Sequence, residues 1–279
     1  IMDVDNSYKR LNFRGALDYE ATDWLKVGFN FVYSKAHQVN PNGSAWQQAF
    51  NAPGIYPIYD EGNTDATPVK YGAPSSVGYT NNFYNPIATA HYFNSKNKSD
   101  QLLANFYAGF QLVPEKLRLK TAVNYDHSTI EGFTYIPKYY ISTQLQNATS
   151  TLRKSVTTYN NYIWDNTLDY DDSFGRHNFG AMAGYSMRQE SYRILSGSAS
   201  NVPDGKEEYY YIGQGDDESR KAGDGGSTYR GMSYFARLNY NYANKYYLMF
   251  TFRADGSSKY QEHWGYFPSV GASWVVSEE

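Results

Sequence analysis

The sequence contains no cysteine, which removes disulfide frameworks, thiolate metal sites, iron–sulfur clusters and cysteine nucleophiles from consideration. It has no stretch approaching the ~18 uninterrupted apolar residues of a membrane-spanning helix. Mean hydropathy is −0.68 with 19% charged residues, which excludes a bundle of membrane helices. Neither sign of charge dominates: the net charge is −3, so no nucleic-acid partner is expected. No basic segment followed by an apolar one opens the chain, so no signal peptide is read there. Catalytic constellations are missing too. The five histidines (His37, His91, His127, His177, His263) are scattered and form no HExxH pair. No serine occupies a G-x-S-x-G elbow. Gly213-Gln214-Gly215 and Gly223-Asp224-Gly225-Gly226 precede no helical pattern, which a phosphate loop requires. The expectation is a non-enzyme with no cofactor and no metal.

Aromatic residues are what the chain has in excess: 30 Tyr, 15 Phe and 5 Trp, 18% of the sequence, beside 23 Gly. Many aromatics at low hydropathy suit a surface where water meets something apolar, either a membrane interface or a sugar-binding face.

The dominant pattern is alternation with period two, the mark of strands with unlike faces. Leu11, Phe13, Gly15, Leu17 and Tyr19 alternate with Arg10, Asn12, Arg14, Ala16 and Asp18. After a short turn, Leu25, Val27, Phe29, Phe31 and Tyr33 alternate with Lys26, Gly28, Asn30, Val32 and Ser34. Further hairpins are expected over 102–112 with 117–127, 159–170 with 176–190, and 231–242 with 246–254, and a ninth strand over 267–276. Turns are placed at 20–23, 113–116, 171–175 and 243–245. Runs of about 9–14 residues match the ~9–11 that cross a bilayer when tilted. Short turns alternate with long connections over 38–100, 130–158, 191–229 and 255–266. That asymmetry fits an all-β transmembrane antiparallel β-barrel with long extracellular loops and short periplasmic turns. Tyr19, Trp24, Tyr170, Phe174, Tyr242 and Tyr246 flank the short turns as one girdle, with Tyr33, Tyr185 and Tyr234 toward the other end. Arg10, Arg14, Lys26, Arg118, Lys120, Asp165, Asp169, Arg188, Arg237 and Arg253 share the polar face. A wide barrel would turn that face to its lumen, a soluble sandwich to bulk water.

The connection over 38–100 is far longer than the ~12–15 residues of a passive loop. It carries Trp46, Phe50, Tyr56, Tyr59, Tyr71, Tyr79, Phe83 and Tyr84. Such aromatics either stack on sugars and dock a partner or pack the loop against itself; Trp46, Tyr56, Tyr59, Tyr71, Tyr79 and Tyr84 are the candidate contact residues. The Gly/Asp-rich loop 191–229 does not have EF-hand spacing and reads as a flexible acidic loop.

The C-terminal part adds a motif: Phe252-Arg253-Ala254-Asp255-Gly256-Ser257-Ser258, then Trp264-Gly265-Tyr266-Phe267-Pro268-Ser269, Ser273-Trp274 and Ser277-Glu278-Glu279. Weaker pieces lie upstream at Tyr84-Asn85-Pro86-Ile87-Ala88, Asn166-Thr167-Leu168-Asp169-Tyr170 and Phe174-Gly175-Arg176-His177-Asn178. Together these resemble the SusC/RagA family of TonB-linked outer-membrane transporters of Bacteroidota. The resemblance implies about nine strands of a plugged 22-stranded barrel, so that residues 1–279 would be a partial barrel domain without plug or TonB box. It implies an outer-membrane location, uptake of oligosaccharides or peptides, and as partners a SusD-like surface lipoprotein, TonB–ExbB–ExbD and outer-membrane lipid. Arg253, Asp255, Gly256, Ser257, Trp264, Gly265, Tyr266 and Pro268 are expected to be structural. Gly256 would allow a positive-φ turn, Asp255 and the serines would bond nearby amides, and Arg253 would pair with Asp255 in the lumen. The alternative is a soluble secreted β-sandwich that binds glycans; a barrel enzyme is a weaker third.

Overall fold

The computed structural model describes residues 6–60, 71–73, 78, 84–141 and 145–278. The strands are β1 (Tyr8–Thr22), β2 (Leu25–Val39), β3 (Asn94–Val113), β4 (Leu117–Ile136), β5 (Tyr139–Tyr140), β6 (Gln146–Asn147), β7 (Thr151–Phe174), β8 (His177–Ser200), β9 (Lys221–Tyr242), β10 (Tyr246–Ser257) and β11 (Trp264–Trp274). Nine of them form one antiparallel sheet in the order β1-β2-β3-β4-β7-β8-β9-β10-β11, so each strand of this sheet pairs with the next one along the chain that belongs to it. β5 and β6 make a separate small ribbon. Helices α1 (Ser44–Asn51) and α2 (Pro86–His91) lie in the first long connection, where the sequence pattern showed only a loop.

The short turns stand where alternation stops, but two are tighter than expected: pairing of Thr22 with Leu25 leaves Asp23-Trp24 as the first turn. The third turn is Gly175-Arg176 alone, because strand pairing continues through Phe174↔His177. Ion pairs Lys116–Asp172 (2.9 Å) and Arg118–Asp171 (2.7 Å) and the hydrogen bond that the Asp171 N–H donates to the Lys116 carbonyl hold these residues in the ladder. Gly175 takes φ +60°, a conformation open to a residue without Cβ.

At the other end the strands overrun their expected limits. β7 and β8 reach 24 residues each, ~80 Å of extended chain at ~3.4 Å per residue. Tilted strands need under half of that to cross a bilayer. The extra length is rich in Ser, Thr and Gly with little apolar alternation, yet it is fully paired, from Thr151↔Ser200 to Ser198↔Lys221. The long connections are correspondingly shorter than the sequence suggested, and β11 starts at Trp264.

Register keeps the faces aligned from strand to strand. Leu17, Phe29, Phe106, Val123, Trp164, Met187, Met232, Gly256 and Trp264 form one row of direct partners. No second sheet covers this row among the described residues, and its large side chains stand open: Leu17 is 64% and Phe106 58% exposed. A soluble sandwich buries such a face between two sheets. The sandwich alternative is therefore set aside.

Candidate functional site

The apolar face defines the membrane-facing side. Between the end girdles, its positions on all nine strands carry no charged residue among those described. Trp274 stacks on Tyr246 at 6.2 Å at the short-turn end, where Phe174, His177 and Tyr242 also cluster, with Phe174–His177 at 5.3 Å and His177–Tyr242 at 5.0 Å. At the other end Tyr185, Tyr234 and Trp264 follow one another at 5.2 and 6.0 Å. Trp264 and Trp274 are ten residues apart on β11. That is ~34 Å along the strand and ~24–28 Å at a tilt of 35–45°, close to the ~25 Å apolar band of an outer-membrane barrel. A charge-free band between aromatic girdles is a lipid-facing wall.

The opposite face is polar and internally bonded. An amide ladder runs from Asn30 to Asn105 (3.1 Å) and from Asn105 to Asn124 (2.7 Å). Asp165 accepts from Ser186 Oγ at 2.6 Å. Arg188 donates to the Tyr229 hydroxyl (2.8 Å) with its guanidinium 5.1 Å from the ring centre, and Glu190 lies 4.0 Å away. Arg253 Nε contacts Asp255 at 2.8 Å, and Ser233 Oγ donates to the same carboxylate at 2.5 Å. The expected Arg253–Asp255 pair is thus present on the lumen face. Such exposed charges hold one another's orientation more than they stabilise the fold.

The motif residues divide between the faces. Arg253, Asp255, Ser257 and Gly265 are on the polar side; Gly256, Trp264, Tyr266 and Pro268 are on the apolar side. Gly256 does not make the positive-φ turn expected of it. It lies inside β10, and a Cβ there would meet the Trp264 ring at 3.1 Å. Close approach of the ring is what the missing side chain provides. Asp255 bonds side chains and not the amides expected of it, whereas Ser257 Oγ accepts from the Lys259 amide (3.2 Å) and Ser258 Oγ from the Arg230 amide (3.0 Å).

Two small cores sit beyond the membrane-crossing part of the sheet. In the first, Tyr71, Ala73, Ala88, Ile141 and Leu145 are buried together, with Ile87, Tyr92 and Tyr139 packed against them. Tyr92 and Tyr139 stack at 4.3 Å with planes 5° apart, tying the first connection to the second. Asn85 organises this core from a fully buried position. Its Oδ1 accepts from the Ile87 and Ala88 amides (3.1 and 3.2 Å), capping α2, while Nδ2 donates to the Ile58 and Gly72 carbonyls (2.9 and 3.2 Å). Asn followed by Pro at the first helical position is a start signal the sequence carried openly. In the second core Tyr135, Leu152, Ala199, Val202 and Tyr210 pack together, with Tyr135 and Tyr210 stacked at 4.0 Å. Loop 201–220 is therefore docked through three short 3-10 turns rather than loose. Glu207 fixes its edge to Lys96. Burial acts to raise that carboxyl, but bonds from Lys96 and Asn94 outweigh it and leave the group below its ordinary value.

The candidate contact aromatics separate by exposure. Trp46 (62%), Tyr59 (56%) and Tyr84 (37%) are open to solvent, and Phe50 beside Trp46 on α1 is 91% exposed. Tyr71 is 2% exposed inside the first core, stacked under Tyr59 at 5.8 Å. Tyr56 is half-buried and donates to the Gly72 carbonyl at 2.9 Å. Burial pushes both Tyr56 and Tyr71 up to about 12, so both hydroxyls stay protonated. Tyr79 and Phe83 lie outside the described residues. The structure thus brings Tyr56, Tyr59 and Tyr71 together and leaves Trp46 on its own helix. Among the described residues no group of three His, Asp or Glu comes together to hold a metal ion.

No family model matches the chain. It is 28% identical over 277 residues to TonB-dependent receptor P26 of Formosa agariphila, covering 96% of this chain and 26% of that protein. It is 28% identical over 202 residues to TonB-dependent receptor SusC of Bacteroides thetaiotaomicron, covering 70% of this chain and 19% of that one. Among solved structures, the RagAB peptide transporter superposes with a TM-score of 0.75 at 18% identity, over 98% of this chain and 31% of that chain. The chain thus spans about a quarter of the length of the relatives it matches, and the shared fold is a stretch of their barrel wall.

Proposed function

We propose that this chain, a barrel-wall segment of the SusC/RagA type of TonB-dependent outer-membrane transporters, serves a nutrient importer. That importer takes up oligosaccharides or peptides with a SusD-like surface lipoprotein and draws energy through TonB–ExbB–ExbD. The carrying observation is the pairing of an outer face that is charge-free between the aromatic girdles with a charged, hydrogen-bonded inner face, kept in step across nine strands with irregularities only beside two short turns, at Glu20/Thr22 and Gln111/Val113. The backbone edges of β1 and β11 are unpaired within the sheet, and hydrocarbon does not tolerate free edges. The segment works only inside a closed wall built with further strands. Its part in transport is binding and lining, not covalent chemistry. Inner carboxylates, guanidiniums and amides keep the lumen wet, while Trp46, Tyr59 and Tyr84 meet cargo or lid, with Tyr56 and Tyr71 as their support. The motif from Arg253 to Pro268 keeps β10 and β11 in place.

The test uses the full-length protein in cells lacking the chromosomal copy, supplied with fluorescent oligosaccharide and peptide pools. One pool accumulates, and accumulation stops when the proton-motive force is collapsed. Trp46→Ala with Tyr59→Ala lowers uptake several-fold at unchanged barrel yield. Uptake indifferent to the proton-motive force contradicts the proposal.

A further inference from the structure

The outer face has a hollow of about 420 Å³ at the level of the second aromatic girdle. Its cause lies in the row Trp164, Met187, Met232, Gly256, Trp264, where two indoles flank two flexible thioethers and a residue with no side chain. Everywhere else at this height the face is filled by aromatics or branched side chains. The next row toward the long loops changes character at once. It holds Tyr162, Gln189 and Arg230, closed by Ser258, whose amide donates to the Arg230 carbonyl at 2.9 Å. Arg230 Nε donates to Gln189 Oε1 at 2.9 Å, which points the guanidinium along the rim. Its terminal nitrogens have no carboxylate partner among the described residues, although it is a cation on the membrane side of the wall. Arginine held this way presents a planar pair of donors suited to phosphate.

We propose that this hollow seats one phosphate-bearing lipid of the outer leaflet. The acyl chain lies against Met187, Met232 and Trp264, and the phosphate sits on Arg230 and the Gln189 amide. Apolar hollow and unpaired cation are stacked in the order in which a lipid presents chain and headgroup, and the site is continuous with the lipid-facing band. Methionine lines adaptable surfaces that accept flexible apolar ligands. The proposal rests on the membrane-facing assignment of this face and is independent of what the transporter carries.

The experiment is native mass spectrometry of the full-length protein from phosphatidylcholine nanodiscs containing a minor fraction of phosphatidic acid. The unsubstituted protein retains one phosphatidic acid in preference to phosphatidylcholine. Arg230→Gln weakens that retention roughly tenfold, the loss of one charge-assisted contact. Met232→Trp fills the hollow and abolishes it, while Leu238→Trp, elsewhere on the same face, leaves it intact. Heat-modifiable gel mobility verifies that each barrel is folded. Retention unchanged in Arg230→Gln and Met232→Trp overturns the proposal. So does loss in Arg230→Gln alone, or displacement of the lipid by inorganic phosphate, since either leaves a surface anion contact without a chain seat.

Discussion

Single residues decide which way each strand faces. Phe29 packs tilted against Phe106 at 4.3 Å and stacks on Phe31 at 5.4 Å toward lipid, whereas its neighbour Asn30 joins the amide ladder of the lumen. Arg at mid-bilayer on a lipid face costs ~2–4 kcal/mol, while a lumen-facing Arg stays hydrated and loses about one hydrogen bond, ~1 kcal/mol. Phe29→Arg is therefore expected to destabilise the full-length barrel by a few kcal/mol, and Asn30→Arg by no more than about 1 kcal/mol, in reversible urea unfolding in lipid. Equal losses would refute the face assignment. Asp255 is a second case. It orients Arg253 and accepts from Ser233, so Asp255→Asn should reduce the yield of folded barrel and leave uptake per folded molecule nearly unchanged. Normal yield with abolished uptake would make Asp255 a group that acts on cargo. The lumen pair itself was legible because residues two apart share a strand face. The position of Gly256 was not, since a glycine signals a turn and a close approach equally well, and only the Trp264 ring across the strand pair decides between them.

At the scale of elements, alternation made all nine strands and all four short turns readable, because each crossing must separate lipid from water residue by residue. The far ends of β3, β4, β7, β8 and β9 were not readable. Outside the membrane both faces meet water, the apolar period vanishes, and cross-strand bonding alone keeps residues such as 191–200 extended. The loops hid their order for a related reason: α1 and α2 are too short for a helical period to show, and the buried cores join residues remote in sequence. Those cores predict coupling. The Tyr92–Tyr139 stack is worth ~0.5–1.5 kcal/mol beyond its area. Tyr139→Ala should then raise hydrogen exchange roughly two- to tenfold at 86–93 as well as at 139–141 and 145–147, with β10 unaffected. Faster exchange confined to 139–141 and 145–147 would show that the two connections move independently.

For the whole molecule, the sheet is a curtain with one wet and one oily side, four tight turns at one margin and, at the other, long connections whose described residues build two small cores. Its edges need further strands, and its outer-membrane place follows from the lipid-facing band and from relatives that are TonB-dependent receptors. Substrate identity was never legible, because exposed aromatics such as Trp46 and Tyr59 suit many sugars and peptides alike. Crossing of the membrane, with long connections outside and short turns inside, is the claim on which everything else rests. It is tested most directly by impermeant maleimide labelling of the full-length protein in intact cells lacking the proposed lid lipoprotein. One cysteine replaces Gly54, where an added side chain meets nothing within 4 Å, and another, in a separate variant, replaces Asp23 in the first short turn. The cysteine at 54 should label in intact cells, and the one at 23 only after the outer membrane is permeabilised. The reverse order, or equal labelling of both in intact cells, would contradict the account.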